Sequence, residues 1–495
     1  MDEQAKLQEL ADKLYGKIEN LFDGGKYTEI KDVFKQCGTI RQFDDRINKL
    51  CILSEIDDVE RKIGRQCIWK DNENLGTLLS RIERIINLFL DVVGGEDGGS
   101  AEGLASTIGR GDFSIEGLDY IACNYIENSS DAMPIIWSKL EETVYAHDSS
   151  NEPLVSVLIL CYNHEAYVGE AIDSVMNQTY KNIEVIITDD GSTDNSREII
   201  RNKIEEWGSE RITFISYEKN TCFACVDEAI RTARGKYIQM IGADDMIEST
   251  KTALQVSFLE KEKSIYDLCF TWVKCIGNGA APQYESTFNQ INIARAGMLR
   301  ILFDHNYLNA PSMLIRKEIF DELGGFDFSY RQLHDYDCWL RYLTNRQLYV
   351  IPSKQTVYRS LDNSLSDAGN KPEGVARLLT ECENILYEFM KNIPERAFAE
   401  TFLDDTLDDL TDLDIKCLKL VYVLKTSKNE GFRGNVFMRL FYHYRGIDGF
   451  KELLGEKYGV DRKEIHRIES ELTGAAETGR LKHMCFMYRA AAENH

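Results

Sequence analysis

The spacing of apolar residues changes character twice along the chain. Up to about residue 93 the apolar positions recur at helical spacing, as in LGTLLSRIERIINLFLDVV, and this pattern predicts helices. From Leu154, short apolar runs such as LVSVLIL, IEVIITDD and KYIQMIG alternate with amphipathic segments such as EAYVGEAIDSVMNQ and DNSREIIRNKIEEWG. Apolar strands that alternate with helices are typical of a mostly parallel sheet covered on both faces. After about residue 366 the helical spacing returns.

These changes predict three regions. Residues 1–150 form a helical N-terminal region, with a linker near residues 94–112 that holds seven glycines. Residues 151–365 form an α/β domain, and residues 366–495 form a helical C-terminal region. Both flanking regions are long enough to have a role of their own, so we expect them to bind an acceptor or a protein partner, or to associate with a second copy of the chain.

Composition excludes some classes of function. The net charge is −24, so no excess of cations is available to neutralise phosphates, and we expect no nucleic-acid binding. The first residues, MDEQAKLQEL, are polar, and no stretch approaches the ~20 apolar residues of a membrane span. We therefore expect a cytoplasmic protein, in which the 13 scattered cysteines are reduced thiols. The CxxC sequence at Cys222 and Cys225 is predicted to be a helical turn with two small core residues.

Adjacent carboxylates stand at the ends of two predicted strands. Asp244 and Asp245 follow the strand KYIQMIG, and two neighbouring anions resist desolvation unless a partner relieves them. Mg²⁺ or Mn²⁺ would relieve them, because hard cations prefer oxygen ligands and often share these with a diphosphate. Asp189 and Asp190 precede a turn, residues 191–194, with several helix-capping side chains. One cap needs only one acid, so the other carboxylate is available to accept a ring N–H from a nucleotide base.

Three longer segments resemble an inverting, family-2 glycosyltransferase of the GT-A fold. They are PLVSVLILCYNHEAYVGEAIDSVMNQTYKNIEVIITDDGSTDNSREII, ARGKYIQMIGADDMIE and APSMLIRKEIFDELGGFDFSYRQLHDYDCWLRYL. The resemblance covers about residues 153 to 362. It implies a Rossmann-like GT-A catalytic domain that moves one hexosyl or N-acetylhexosaminyl unit from a nucleoside-diphosphate sugar, UDP-linked, to a glycan or protein acceptor.

The resemblance also implies roles for the residues on the donor side of the site. Tyr162 and Asn163 match positions that line the nucleotide pocket. Asp190 matches the carboxylate that pairs with the uracil ring. Asp244 matches the acid near the ribose and the metal, and Asp245 matches the direct ligand of the Mn²⁺ or Mg²⁺.

On the acceptor side, Asp335 in LHDYDCW matches the catalytic base of the family. Asp337 is the alternative, because on a loop only one of two residues so close in sequence should face the pocket. Two positions depart from the family pattern, since members often have Asp at the position of Gly242 and Glu at the position of His334. His334 either fills a loop position or tunes the base. Arg359 either contacts the diphosphate from a mobile loop or is an ordinary surface residue.

Two other interpretations use the same sheet. A non-catalytic GT-A scaffold would act as a binding module through its helical flanks. A nucleotidyltransferase should carry a glycine-rich basic phosphate loop near the start of the sheet, whereas LCYNHEAY contains neither glycine nor lysine. No QxxRW segment, a motif of processive synthases, follows Asp335, so we expect the transfer of a single sugar.

Overall fold

The structure of the protein is a computed structural model. It describes residues 12–18, 137, 145, 152–277, 281–290, 292, 295–361, 372–403, 410–425 and 430–477. The chain divides into two compact units, which are Met1–His147 with Ile291–Ala294, and Asp148–Gln290 with Arg295–His495. In the first unit residues 12–18 are helical, and most of the region predicted to be helical, including the linker near residues 94–112, lies outside the described residues.

Within the described residues, the second unit contains one sheet of eight strands. In chain order they are β1 (Val155–Cys161), β2 (Ile183–Asp189), β3 (Ile212–Ser216), β4 (Tyr237–Gly242), β5 (Met246–Ile247), β6 (Tyr266–Gly277), β7 (Leu314–Arg316) and β8 (Gln347–Ser360). The order across the sheet is β3-β2-β1-β4-β7-β6-β8-β5. Strands β3, β2, β1 and β4 are parallel to one another, and β6 is parallel to β8. Strands β7 and β5 run antiparallel to their neighbours.

The parallel strands form where the sequence has its apolar runs. β1 and β2 are rich in Val and Ile, and nearly every residue in both strands is buried. β-Branched side chains fit a pleated surface that is covered on both faces, so these runs are more stable as central strands than as exposed helices. The α/β class and the mostly parallel sheet that the sequence predicts are both confirmed.

Helices cover the sheet and continue beyond it. Those of the α/β part are α1 (Val168–Met176), α2 (Ser196–Trp207), α3 (Ala224–Thr232), α4 (Lys251–Lys261), α5 (Ala281–Phe288), α6 (Arg295–Asp304), α7 (Lys317–Glu322) and α8 (His334–Asn345). The C-terminal helices are α9 (Pro372–Asn392), α10 (Glu395–Phe402), α11 (Asp412–Lys425), α12 (Glu430–Tyr444), α13 (Phe450–Glu456) and α14 (Arg462–Glu477). No helix in the described part of the chain is long and apolar enough to cross a membrane.

The C-terminal helices share a hydrophobic core with the α/β part. The ring of Phe303, in α6, lies 6.0 Å from Phe389 in α9, 5.4 Å from Phe402 in α10 and 5.8 Å from Tyr422 in α11. The guanidinium of Arg300 also donates to the carbonyl oxygen of Thr401, in α10. The helices predicted after residue 366 are therefore packed against the α/β part of the same compact unit.

Candidate active site

The carboxyl ends of β1 to β4 meet at one edge of the sheet, because these strands are parallel. After β1, the backbone N–H of Asn163 donates to Ser192 Oγ at 2.8 Å, and Asn163 Oδ1 accepts the Thr193 N–H at 2.8 Å. These bonds tie the segment after β1 to the turn after β2. The side chain of Tyr162 remains 44% exposed at this edge.

The two acids that end β2 have different partners. Asp189 is fully buried, and its Oδ1 accepts the Ser192 N–H at 3.1 Å and Arg197 Nε at 2.5 Å. Asp190 Oδ1 accepts both the N–H of Thr221, at 2.7 Å, and its hydroxyl, at 2.5 Å. The other oxygen of Asp190 bonds to no residue in the described parts of the chain. Asp189 therefore stabilises the turn, and Asp190 keeps an oxygen available for a ligand.

The loop between β3 and α3 lies against this turn. Gly191 has a φ of +80°, and a Cβ atom there would lie 2.4 Å from the backbone N of Asn220, so glycine is required. Cys222 and Phe223 also have positive φ values, 51° and 84°. Cys222 is exposed and precedes α3, whereas Cys225 is buried within it. The prediction of two core cysteines in one helical turn is wrong for Cys222, because the left-handed residues delay the start of the helix.

Asp244 and Asp245 converge beside Gly242, just after β4. A Cβ atom at position 242 would lie 2.6 Å from Asp244 Oδ1 and 3.2 Å from Asp245 Oδ2. The absence of a side chain therefore leaves the space that the two carboxylates occupy, which gives the departure from the family pattern a structural reason. Asp245 is 3% exposed, and burial together with the neighbouring Asp244 raises the pKa of Asp245 well above its ordinary value.

This pair fits a divalent cation that takes its remaining ligands from a substrate. Among the described residues, no group of three or more His, Cys, Asp or Glu side chains is arranged to hold a metal ion. A site for Mg²⁺ or Mn²⁺ needs only one or two protein carboxylates when a diphosphate supplies other oxygens. Asp245 Oδ1 already accepts the backbone N–H of Arg359 at 2.8 Å, which orients the carboxylate.

Arg359 belongs to β8, and its side chain is 16% exposed. Its Nε donates to the backbone oxygen of Asp244 at 2.9 Å, its Nη2 donates to Glu170 at 2.9 Å, and its guanidinium lies 4.5 Å from the centre of the Tyr167 ring. The expectation of a mobile loop or a surface residue is therefore wrong. β8 pairs with β5, which directly follows the two acids, and this pairing fixes Arg359 beside them.

Sequence reasoning gave no role to His164, which follows Asn163. Its Nε2 lies 3.9 Å from Asp244 Oδ2, and its buried Nδ1 has no hydrogen-bond partner among the described residues. Its backbone N–H donates to Ser196 Oγ at 2.9 Å, at the start of α2. The segment after β1 therefore contacts both the turn after β2 and the acidic pair after β4.

Asp335 lies in the first turn of α8, where it is half-buried. Its Oδ1 accepts the Tyr336 N–H at 2.7 Å, and Asn306 Nδ2 donates to its Oδ2 at 3.4 Å. Burial raises the pKa of Asp335, and neighbouring His334 partly opposes this effect. The sequence-based expectation of a loop at this position is wrong, because α8 begins at His334.

Asp337 is held in an ion pair instead. Its Oδ2 lies 2.7 Å from Arg341 Nη2 and accepts Arg341 Nε at 2.9 Å. The same guanidinium donates to the backbone oxygens of Leu323 and Gly325. Residues two apart on a helix project about 200° from each other, so Asp335 and Asp337 face different sides.

An aromatic cluster connects the loop after β3 with the start of α8. The ring of His334 lies 5.1 Å from Phe223, 5.1 Å from Phe326 and 5.6 Å from Phe328, and burial lowers the pKa of His334. Phe223 follows the loop residue Thr221, whose N–H and hydroxyl bind Asp190. A continuous path of contacts therefore runs from Asp190 to the helix turn that carries the proposed base.

The fold and these acids define an α/β protein with a candidate ligand site at the carboxyl ends of its parallel strands. The family model for glycosyl transferase family 2 matches residues 156–324. An uncharacterized glycosyltransferase of Methanocaldococcus jannaschii is 31% identical over 222 residues, which are 44% of this chain and 74% of that protein. Another, from Rickettsia prowazekii, is 27% identical over 261 residues, 49% of this chain and 79% of that protein. The chain therefore belongs to glycosyl transferase family 2.

Solved structures of lower similarity also match. S. aureus TarS 1–349 in complex with UDP-GlcNAc is 15% identical, with a TM-score of 0.38, and the match covers 59% of this chain and 92% of that one. A mannosyltransferase from Pyrobaculum calidifontis in complex with GDP-Man and Mn²⁺ is 13% identical, with a TM-score of 0.38, and the match covers 74% of this chain and 99% of that one.

Proposed function

We propose that the protein is a metal-dependent, inverting glycosyltransferase that moves one hexosyl or N-acetylhexosaminyl unit from a UDP-sugar to a glycan or protein acceptor. The observation that carries the proposal is the convergence of Asp244, which is 16% exposed, and Asp245, which is 3% exposed, beside Gly242. In the described parts of the chain no Lys or Arg side chain forms an ion pair with either carboxylate, and His164 Nε2 lies 3.9 Å from Asp244 Oδ2. Such a pair suits a cation that arrives with a diphosphate.

Residues that follow β1 and β2 hold the nucleotide of the donor. Asp190 offers its unbonded oxygen to a ring N–H of uracil, while its other oxygen stays bound to Thr221. Tyr162 and Asn163 border the nucleotide, and Asn163 also keeps the segment after β1 in place.

At the diphosphate end of the donor, Asp244 and Asp245 would hold Mn²⁺ or Mg²⁺. When bound, the cation supplies positive charge that stabilises the leaving diphosphate. Arg359 is fixed beside these acids by Glu170 and Tyr167, so its charge lies near the same phosphates without a conformational change.

Asp335 removes the proton from the acceptor hydroxyl. Its pKa is raised by burial, and a more basic carboxylate is a better proton acceptor once it is ionised. One base and one displacement invert the anomeric centre, whereas a double displacement that retains it needs a second carboxylate as nucleophile, as in retaining glycosidases. Asp337 is unsuited to that second role, because both nitrogens of an Arg341 edge bind its Oδ2.

The test is a screen of nucleotide sugars against the purified full chain with Mn²⁺, first by thermal shift and then by calorimetry. A donor that binds should stabilise the fold by mass action. The best donor is then incubated with candidate acceptors, and the anomeric configuration of the product is read by NMR. Retention of configuration would overturn the inverting mechanism. Tight donor binding with neither hydrolysis nor transfer would favour the scaffold.

A further inference from the structure

A carboxylate from the C-terminal helices binds the backbone just before the proposed base. Glu381 lies in α9 and is 7% exposed. Its Oε1 accepts the N–H of Arg331 at 2.9 Å, and its Oε2 accepts the N–H groups of Gln332 at 2.8 Å and Leu333 at 3.0 Å. Three consecutive backbone amides therefore converge on one side chain.

These amides belong to the three residues that directly precede α8, which begins at His334. Leu333, the last of the three, provides no side-chain cap for the helix. Glu381 supplies a charge at this end, where the helix dipole favours an anion. Hydrogen bonds from N–H groups to an ionised carboxylate are stronger than those to a neutral acceptor.

Leu333 packs against the hydrophobic core, whereas the residues just before the segment border open space. The preceding residues Ser329 and Tyr330 border a cavity of about 670 Å³, whose other walls include Arg377 and Arg439 from the C-terminal helices. Glu381 itself lines this cavity. Because the residues before the segment border open space, the position of the segment depends in part on its hydrogen bonds to Glu381.

We propose that Glu381 is a positioning residue that fixes the segment 331–333 and, through it, the carboxylate of Asp335 relative to the acceptor. The proposal rests on the proposed function, in which Asp335 is the base. A displacement of about 1 Å at a reacting group can lower a rate about 10²-fold. The C-terminal helices would thus form part of the catalytic apparatus.

The experiment compares Glu381→Gln with a matched control, Glu383→Gln. Glutamine offers one acceptor oxygen and an NH₂ group that repels an amide N–H, so it cannot satisfy all three amides. Glu383 lies on the same helix, and its Oε1 accepts Asn435 Nδ2, in α12, at 2.5 Å. Each variant is measured for transfer kcat, donor affinity, melting temperature and hydrogen exchange at residues 331–333.

Glu381→Gln should lower kcat 10- to 100-fold and speed exchange at these amides, with donor affinity unchanged. Glu383→Gln should lose some thermal stability and keep its kcat. In an Asp335→Asn background, Glu381→Gln should cause little further loss, because both changes act through the same group. Equal kcat losses in the two single variants, or unchanged exchange in Glu381→Gln, would overturn the proposal. A wild-type chain without any transfer would instead contradict the proposed function, and faster exchange would still show that Glu381 holds the segment.

Discussion

Replacement of Asp335 by asparagine removes the proposed base and should leave the rest of the site unchanged. Asparagine has nearly the same size, and its oxygen can still accept the Tyr336 N–H that Asp335 Oδ1 accepts at 2.7 Å. The fold should therefore persist, while the proton acceptor is lost. Loss of a general base typically costs 10²–10⁴-fold in rate, or about 3–5 kcal/mol of activation free energy.

Asp337→Asn is the matched comparison, two residues away on the same helix. This change weakens the ion pair with Arg341, whose side chain is 33% exposed, so the loss should be about 1–2 kcal/mol of folding stability after solvent screening. Arg341 keeps its bonds to the carbonyls of Leu323 and Gly325. We expect a lower melting temperature and a nearly normal transfer rate per folded molecule.

Calorimetry with UDP-sugar and Mn²⁺ gives donor affinity, and a transfer assay gives the rate. Asp335→Asn should bind donor normally and transfer almost nothing. The base must be ionised to act, and burial raises the pKa of Asp335, so wild-type activity should fall on the acidic side at a pH above the ordinary aspartate pKa. An inactive Asp337→Asn beside an active Asp335→Asn would show that the base is misassigned, and normal transfer by both would refute the single-base mechanism.

Three further predictions concern the metal-binding acids, the acid proposed to bind the base and a buried lysine. Asp245→Asn should abolish Mn²⁺-dependent donor binding in calorimetry and leave the fold intact; turnover at the wild-type rate would exclude the metal role. Asp190→Ala should weaken UDP binding by about 1–3 kcal/mol, whereas Asp189→Ala should mainly lower the melting temperature; unchanged UDP affinity in the first variant would contradict its role. Lys251 is fully buried, and burial lowers its pKa from 10.5 to about 7. Between these two pH values the folded state binds fewer protons than the unfolded state, so the free energy of unfolding falls as the pH drops from 10.5 towards 7. Lys251→Met should remove this dependence in denaturant unfolding at pH 7 and 9, and an equally steep dependence in the variant would refute the assignment.

The parts of the site that depend on local pattern could be predicted from the sequence. The apolar runs of β1, β2 and β4 predict buried parallel strands, and parallel strands necessarily bring their carboxyl ends to one edge. Asp190, Asp244 and Asp245 follow such strands directly, so their shared edge follows from the sheet. Their position required no knowledge of distant contacts.

The contacts that the sequence could not predict join distant segments. Arg359 is fixed beside Asp244 by the pairing of β8 with β5, more than 100 residues apart in sequence. Thr221 reaches Asp190 only because the loop after β3 folds against the turn after β2. Glu381 meets the segment before Asp335 through the packing of a C-terminal helix. Hydrophobic spacing predicts elements and says nothing about which of their polar residues will meet.

Four acids of this site differ in whether their partner is an arginine or a neutral donor. Asp189 binds Arg197, and Asp337 binds Arg341, and each pair holds a turn in place. Their neighbours Asp190 and Asp335 accept only backbone or uncharged side-chain donors from the described residues. A carboxylate already paired with an arginine has less to gain from a ligand, whereas one held by neutral donors keeps its charge available. Asp189 and Asp337 therefore stabilise the structure of the site, whereas Asp190 and Asp335 are available to bind or to react. Substitutions of the first two should lower stability, and substitutions of the second two should lower binding or catalysis.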